Sequence, residues 1–369
     1  MDRITKIEVY KIDIPLKTPF VIALETIECA HNVVVSIHTS KGLRGWGECS
    51  PYPALIGETQ ASAFVNAQFI AKAITNTEFA LRQNLKSIQN CLAGNSCIKS
   101  AFDMALHDLA AQEAQMPLYR FLGGQNDRQL RTDMTIGMDT AEKMAKAAER
   151  FVSEGFDTIK IKLGSNYLTD MYRIELIRRK IGSNIALRLD ANQGWDFPTA
   201  KRILNDLYQF DIEWCEAPIP KWDMNSLIKL NKESPIPIMA DESLFDSKDA
   251  LSHIKQNAAD YFNIKLAKSG GLQEAIAIIQ FAKAAGIKIQ VGCFSESRLG
   301  IAALAHLCLA YPEIEFYDMD SPLMLAEDPT IGDMSYKGNG YWAVGVENGI
   351  GVQFQTDELE KYEHFKIGS

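Results

Sequence analysis

Charged residues recur at the ends of short apolar runs through the middle of the chain. Lys160 and Lys162 lie in DTIKIKLG, Asp190 in IALRLDANQGW, Glu216 in FDIEWCEAP, Asp241 in PIPIMADES and Lys265 in YFNIKLAKSGG. The steps from Lys162 to Asp190, Glu216, Asp241 and Lys265 are 28, 26, 25 and 24 residues. One strand of about 5–6 residues, one helix of about 11–12 and two short loops consume about that many. A charged group at the C-terminal end of each successive strand is how a (β/α) barrel presents an active site.

Eight strand candidates follow in register: RTDMTIGM, DTIKIKL, IALRLDA, IEWCEAP, IPIMADES, YFNIKLA, IKIQVGC and IEFYDMD. Helical stretches such as AEKMAKAAERFVSEG and GLQEAIAIIQFAKAAG separate them. After the eighth, SPLMLAEDPT and a tail containing GNGYWAVGVENGIGV read as loops and a short hairpin. The pattern predicts a (β/α)7β modified TIM barrel over residues 126–324. A barrel of typical size needs only about 250 residues, and this chain has 369. Residues 1–125 predict an α+β capping domain, with ITKIEVYKIDI, NVVVSIHTS and LRGWGECS as an antiparallel meander followed by helices. LKTPFVIALETIECAH, between the first two strands, reads as a long connection, and the tail 325–369 is expected to pack on the capping domain.

A net charge of −9 argues against nucleic acid as a partner. The seven cysteines are scattered, odd in number and without a CxxC pair, which predicts reduced thiols and a cytoplasmic location. The N-terminal MDRITKIEVYKIDIPL has no signal-peptide pattern, and no apolar run approaches the ~20 residues of a membrane span. Membrane partners are therefore not expected, whereas a homo-oligomer is. His31, His38, His107, His253, His306 and His364 are scattered and are assigned structural or surface roles.

Asp190, Glu216 and Asp241 at one rim make an anionic, all-oxygen site suited to a hard cation such as Mg²⁺. Lys160 and Lys162 are two apart on one strand and share a face, while Ile159, Ile161 and Leu163 share the other. If the apolar face packs on helices, both ammonium groups point into the barrel, where anions must compensate them. Lys265 falls on the sixth strand, across the barrel from the second. Lysines on both sides of a substrate suit removal of a proton from one face and its return to the other.

With GWGE (Gly45–Glu48), KIK (Lys160–Lys162), LDAN (Leu189–Asn192), EAP (Glu216–Pro218), ADES (Ala240–Ser243) and KxxxSGG (Lys265–Gly271), the chain resembles the enolase superfamily, muconate-lactonizing subgroup, over essentially its whole length. That superfamily pairs a Lys or His base with Mg²⁺. The resemblance implies Asp190, Glu216 and Asp241 as Mg²⁺ ligands, Lys162 and Lys265 as the acid/base pair, and Lys160 as a partner of the substrate carboxylate. The eighth strand ends in Asp318-Met319-Asp320, both carboxylates on one face. This DxD resembles the motif with which dipeptide epimerases bind the ammonium group of a dipeptide. GCFSESRLGIAA also resembles those enzymes and places Cys293 at the rim, and Thr135 matches a substrate-contacting position.

Enzymes of this kind that act on Ala-Glu carry an Arg in the mobile loop of the capping domain, where this chain has Glu25. A carboxylate there repels a Glu side chain. Tyr52, Leu55 and Ile56 in a second loop offer an apolar wall. The expected substrate is a dipeptide with a small or apolar C-terminal residue, such as Ala-Ala, with a cationic residue facing Glu25 as the rival. A cycloisomerase or o-succinylbenzoate synthase shares the lysines and carboxylates but has no ammonium group for Asp318 and Asp320. A non-catalytic peptide-binding barrel makes no use of the lysine pair.

Overall fold

The computed structural model describes residues 2–369; Met1, where the expected capping domain begins, lies outside the described residues. Three antiparallel strands open the chain: β1 (Ile4–Val21), β2 (Thr26–Thr39) and β3 (Arg44–Cys49). Helices Gln60–Ile74, Leu81–Cys91 and Ser96–Glu113 pack on one face of this sheet. The GWGE motif has a packing reason: a Cβ at Gly45 or Gly47 would run into the backbone of Ala105 or Ala101 in helix Ser96–Glu113.

The residues read as a long connection are mostly strand. β1 and β2 pair from Ile4 to Val21, with a register shift between Pro15 and Phe20. Beyond that irregularity they continue as a two-stranded arm over the mouth of the barrel. One side of the arm (Leu16, Phe20, Ile22, Ile27) faces a cavity, and Lys17, Thr18, Pro19 and Glu28 face water. The shift breaks the period-two alternation, which is why the segment looked irregular.

After a short strand β4 (Leu130–Arg131), eight strands form one parallel sheet in sequence order: β5 (Met134–Ile136), β6 (Thr158–Lys162), β7 (Ala186–Asp190), β8 (Ile212–Glu216), β9 (Ile238–Ala240), β10 (Tyr261–Ile264), β11 (Lys288–Val291) and β12 (Ile314–Tyr317). A helix returns the chain between each successive pair, whereas β12 is followed only by the single turn Ser321–Met324. This is the (β/α)7β barrel expected of the sequence, and the spacing of its strands follows from one helix per crossover. The two ends of the sheet meet without a regular ladder. Asp133 N–H donates to Tyr317 C=O (3.1 Å), Met319 N–H to Thr132 Oγ1 (2.8 Å), and Thr135 N–H to Asp320 Oδ2 (2.7 Å).

Carboxylates of the first 125 residues cap helices of the barrel. Glu48, fully buried, accepts from Asn32 Nδ2 (2.8 Å), Ser297 N (3.0 Å), Ser297 Oγ (2.6 Å) and Gly300 N (2.9 Å) at the start of helix Arg298–Ala310. Asp103 does the same for Leu272 N (2.6 Å) ahead of helix Leu272–Ala285. These bonds satisfy amides that no intrahelical partner reaches and set negative charge at the positive end of each dipole.

The tail adds strands β13 (Thr330–Gly332), β14 (Ser335–Tyr336), β15 (Tyr341–Ala343), β16 (Val352–Phe354) and β17 (His364–Gly368). β17 pairs with β1, and the β14–β15 hairpin pairs with β4, so the tail reaches both halves of the molecule. We propose residues 126–324 as the barrel unit and 1–125 with the tail as its cap. Among the described residues no helix is long and apolar enough to cross a membrane.

His306 locks this junction. Its Nδ1 accepts from Tyr119 N–H (3.0 Å), so the neutral ring donates through Nε2 to Ile350 C=O (3.0 Å). Burial pulls its pKa down to about 4. A depressed histidine contributes stability that is present above its unfolded pKa of about 6.5 and lost as pH falls through about 4, about 3 kcal/mol in all. Denaturant unfolding across that window will show a smaller loss of stability on acidification in His306→Gln than in the wild type.

Candidate active site

The expected site residues of the barrel stand on its strands or just beyond their C-terminal ends, because one face of every strand packs on helices and the other points inward; Glu25 and Tyr52 come from loops of the first 125 residues. On β6, Ile159 and Ile161 join the apolar shell while Lys160 and Lys162 turn into the barrel, Lys160 with only 1% of its surface exposed. Its Nζ lies 2.7 Å from Glu216 Oε2, 2.8 Å from Asp318 Oδ2 and 3.6 Å from Asp190 Oδ2. Burial alone would lower its pKa; Asp318 and Glu216 reverse this and hold it well above the usual lysine range. Lys162 Nζ contacts Asp190 Oδ2 at 2.5 Å, and Lys265 Nζ contacts Asp241 Oδ2 at 2.9 Å from the opposite wall.

Asp190, Glu216 and Asp241 each present an oxygen within 4.8 Å of the others. Burial disfavours the charge on Asp190 and Asp241, but Lys162 and Lys160 at the first, and Lys265 and Lys268 at the second, hold both below the usual carboxylate range. Burial and the Asp190 charge push Glu216 up to about 7. Within the barrel, buried Lys160, Lys162, Lys265, Lys268 and Arg188 face the buried carboxylates of Asp133, Asp190, Glu216, Asp241, Glu242, Asp318 and Asp320. Three of these carboxylates, Asp190, Glu216 and Asp241, converge their oxygens on one point where a cation can be held. The donor set fits a hard divalent cation.

At the seam, Asp318 and Asp320 lie beside Cys293, whose Sγ is 3.8 Å from Asp320 Oδ1. Burial and Asp318 push Asp320 up to about 7. Thr135, Lys160, Lys162, Lys265, Cys293, Asp318, Asp320 and Tyr52 line one pocket of about 60 Å³. Ile22, Ile27, Phe20 and Leu55 form its apolar roof. Glu25 is not among the lining residues; it sits at the tip of the arm, where Ile22 N–H donates to its carbonyl (3.0 Å). Its charge, after burial, contributes to raising the Tyr52 phenol.

Sequence reasoning missed several neighbours. Lys268 is buried with its ammonium on Asp241 Oδ1, on Asp241 C=O (2.6 Å) and on Asn263 C=O (3.1 Å). A second lysine three residues after Lys265, inside an apolar run, was its signal. Asn263 Nδ2 donates to Glu216 Oε1 (2.7 Å), and Asn192 Nδ2 to Glu242 Oε1 (3.0 Å). Phe294 brings its ring 4.8 Å from Lys265 Nζ and stacks on Tyr52. The roof residues Leu16, Phe20, Met324 and Leu325 carried no signal, since only the arm and the turn after β12 bring them together.

Two family models match the chain: "Mandelate racemase / muconate lactonizing enzyme, N-terminal domain" over residues 4–123, and "Enolase C-terminal domain-like" over 143–358. The chain belongs to this mandelate racemase/muconate lactonizing family of the enolase superfamily. It is 43% identical to a D-Ala-D/L-Ala epimerase of Cytophaga hutchinsonii, covering 99% of each chain. It is 38% identical to a hydrophobic dipeptide epimerase of Enterococcus faecalis, over 95% of this chain and 99% of that one. Among solved structures, a dipeptide epimerase from Cytophaga hutchinsonii, complexed with Mg and the dipeptide D-Ala-L-Val, superposes with a TM-score of 0.97 over 99% of this chain and 100% of that one, at 43% identity.

Gly292 keeps this centre open. A Cβ there would lie 2.7 Å from Asn263 Oδ1 and 2.9 Å from Lys265 Cε. Gly292→Ala will displace both side chains and lower turnover on the order of 10²-fold while far-UV circular dichroism is unchanged, since misplacement by about 1 Å is enough for such a loss.

Proposed function

We propose that this chain is a Mg²⁺-dependent dipeptide epimerase, inverting the α-carbon of the C-terminal residue by a two-base 1,1-proton transfer. The observation that carries this is one pocket lined by Lys162 and Lys265 on opposite walls and by an anionic pair, Asp318 and Asp320, with a buried carboxylate triad in contact with the lysines. Lys160 and the triad fix the substrate's carboxylate end, and Asp318 with Asp320 holds its ammonium end. The C-terminal α-carbon is thereby suspended between the two lysines. One lysine takes the α-proton and the other returns a proton to the opposite face. Asp190, Glu216 and Asp241 would hold Mg²⁺, which when bound takes over the charge that keeps the lysines paired and stabilises the negative charge developing on the substrate carboxylate. Lys160, fully desolvated, adds a fixed cation there.

Substrate preference follows from the walls. The pocket is small, about 60 Å³, which favours a dipeptide with small side chains. Phe20, Ile22, Ile27 and Leu55 supply no cation for a Glu side chain, which favours Ala-Xaa with small or apolar Xaa, such as Ala-Ala. The names of the Cytophaga and Enterococcus relatives support the same reading. A cationic Xaa is disfavoured because Glu25 stands outside the lining. A cycloisomerase substrate would bring no ammonium group to Asp318 and Asp320.

Incubation with dipeptides and Mg²⁺ in ²H₂O will place deuterium at the C-terminal α-carbon, with Ala-Ala faster than Ala-Glu, and chelation will abolish the exchange. Lys162→Ala and Lys265→Ala will each lose at least about 10²-fold in epimerisation. Wild-type rates in both variants would contradict the two-base reading.

A further inference from the structure

Behind the roof of the pocket lies a second cavity of about 660 Å³, on the outer side of β5 and against helix Ala141–Ser153. Phe20, Thr135 and Met324 line both spaces. Phe20 sits where Gly137 leaves room for it: a Cβ at Gly137 would come 3.1 Å from Phe20 Cδ2 and 3.1 Å from the backbone of Val21. The arm is held there by Met138 N–H donating to Val21 C=O (2.7 Å) and by Lys17 Nζ reaching Leu323 C=O (2.8 Å). The residues common to both spaces are Phe20 of the arm, Thr135 of β5 and Met324 of the turn after β12, so the partition includes a phenyl ring and a methionine side chain.

The position of this partition relative to the proposed ammonium site decides what passes it. Asp320 Oδ2 accepts from the backbone of Thr135, so an ammonium held by Asp320 lies next to the residue common to both chambers. With that ammonium clamped, chain extension at the N-terminus is blocked, and only the side chain of the N-terminal residue is free to enter. The second chamber is walled by Met134, Ile136, Met138, Met144 and Phe151. Of the charges at its rim, Lys143 pairs with Asp139 (3.1 Å) and Arg150 with Glu154 (3.7 Å), while the Lys17 ammonium is turned onto the Leu323 carbonyl (2.8 Å). The walls themselves are apolar, and methionines accommodate varied shapes.

We infer that Phe20 and Met324 form a gate through which a long, unbranched apolar side chain on the N-terminal residue enters the second chamber. The site then accepts a large N-terminal residue while its C-terminal pocket stays restricted to small or apolar ones. This inference rests on the dipeptide epimerase reading and on Asp318 and Asp320 holding the ammonium group.

The test compares Ala-Ala with Met-Ala, in both configurations of the N-terminal residue, by α-deuterium exchange in ²H₂O. Wild-type enzyme will process one configuration of Met-Ala with kcat/KM within tenfold of Ala-Ala. Ala147 lines the second chamber and not the first; Ala147→Phe will fill it and lower the Met-Ala to Ala-Ala ratio at least tenfold, with Ala147→Leu giving a smaller drop should the larger residue impair folding. An unchanged ratio in a variant with a wild-type melting profile overturns the chamber, as does a wild-type enzyme active on Ala-Ala and inert towards Met-Ala. Absence of exchange with every dipeptide overturns the epimerase reading itself, and the chamber with it.

Discussion

The ammonium group of Lys160 is the contact on which the interior of the barrel depends. It has almost no exposed surface and touches carboxylates from three other strands or strand ends, Glu216, Asp318 and Asp190. A lone buried charge costs several kcal/mol, and an ion pair offsets this only when its geometry is good and the remaining lone pairs are satisfied. Here one cation joins the carboxylate triad on one side to the aspartate pair on the other. Removing it would leave two groups of like charge facing one another across a few ångströms of low-dielectric interior. The site's electrostatics and the packing of its inner layer are therefore one problem with one solution.

The two halves of the molecule are joined on the same physical principle, at a different place. Glu48 and Asp103 reach from the first 125 residues to the amides that begin two barrel helices. Each bond is short-range and directional, so the halves are held in a fixed relation while the arm of β1 and β2 projects beyond them over the mouth. The arm is tied down separately, through Met138 N–H on Val21 C=O and Ala326 N–H on Pro15 C=O, so the roof has its own attachment to the barrel.

Much of this was legible in the sequence because charge at a strand end is rare and periodic here. KIK, LDAN, EAP and ADES announced both the strands and the inward side chains, since Ile159 and Ile161 must pack outside for Lys160 and Lys162 to point in. What was not legible depends on contacts between distant segments. The arm reads as a connection because the shift between Pro15 and Phe20 disrupts its alternation. Leu16, Phe20, Met324 and Leu325 are ordinary apolar residues until two segments some 300 positions apart are brought side by side. Glu48 read as part of a motif, while its purpose as a helix cap needed the location of Ser297 and Gly300.

The seam between β12 and β5 closes the barrel partly through a side chain, Asp320, where a backbone carbonyl would serve in a regular ladder. Architecture and ligand chemistry thus draw on the lone pairs of the same carboxylate. Any change of the group recognised at that end must remain compatible with closing an eight-stranded sheet, whereas residues of the arm answer to no such condition. In a barrel built this way a substitution at the seam touches closure and recognition together, whereas one in the roof touches recognition alone.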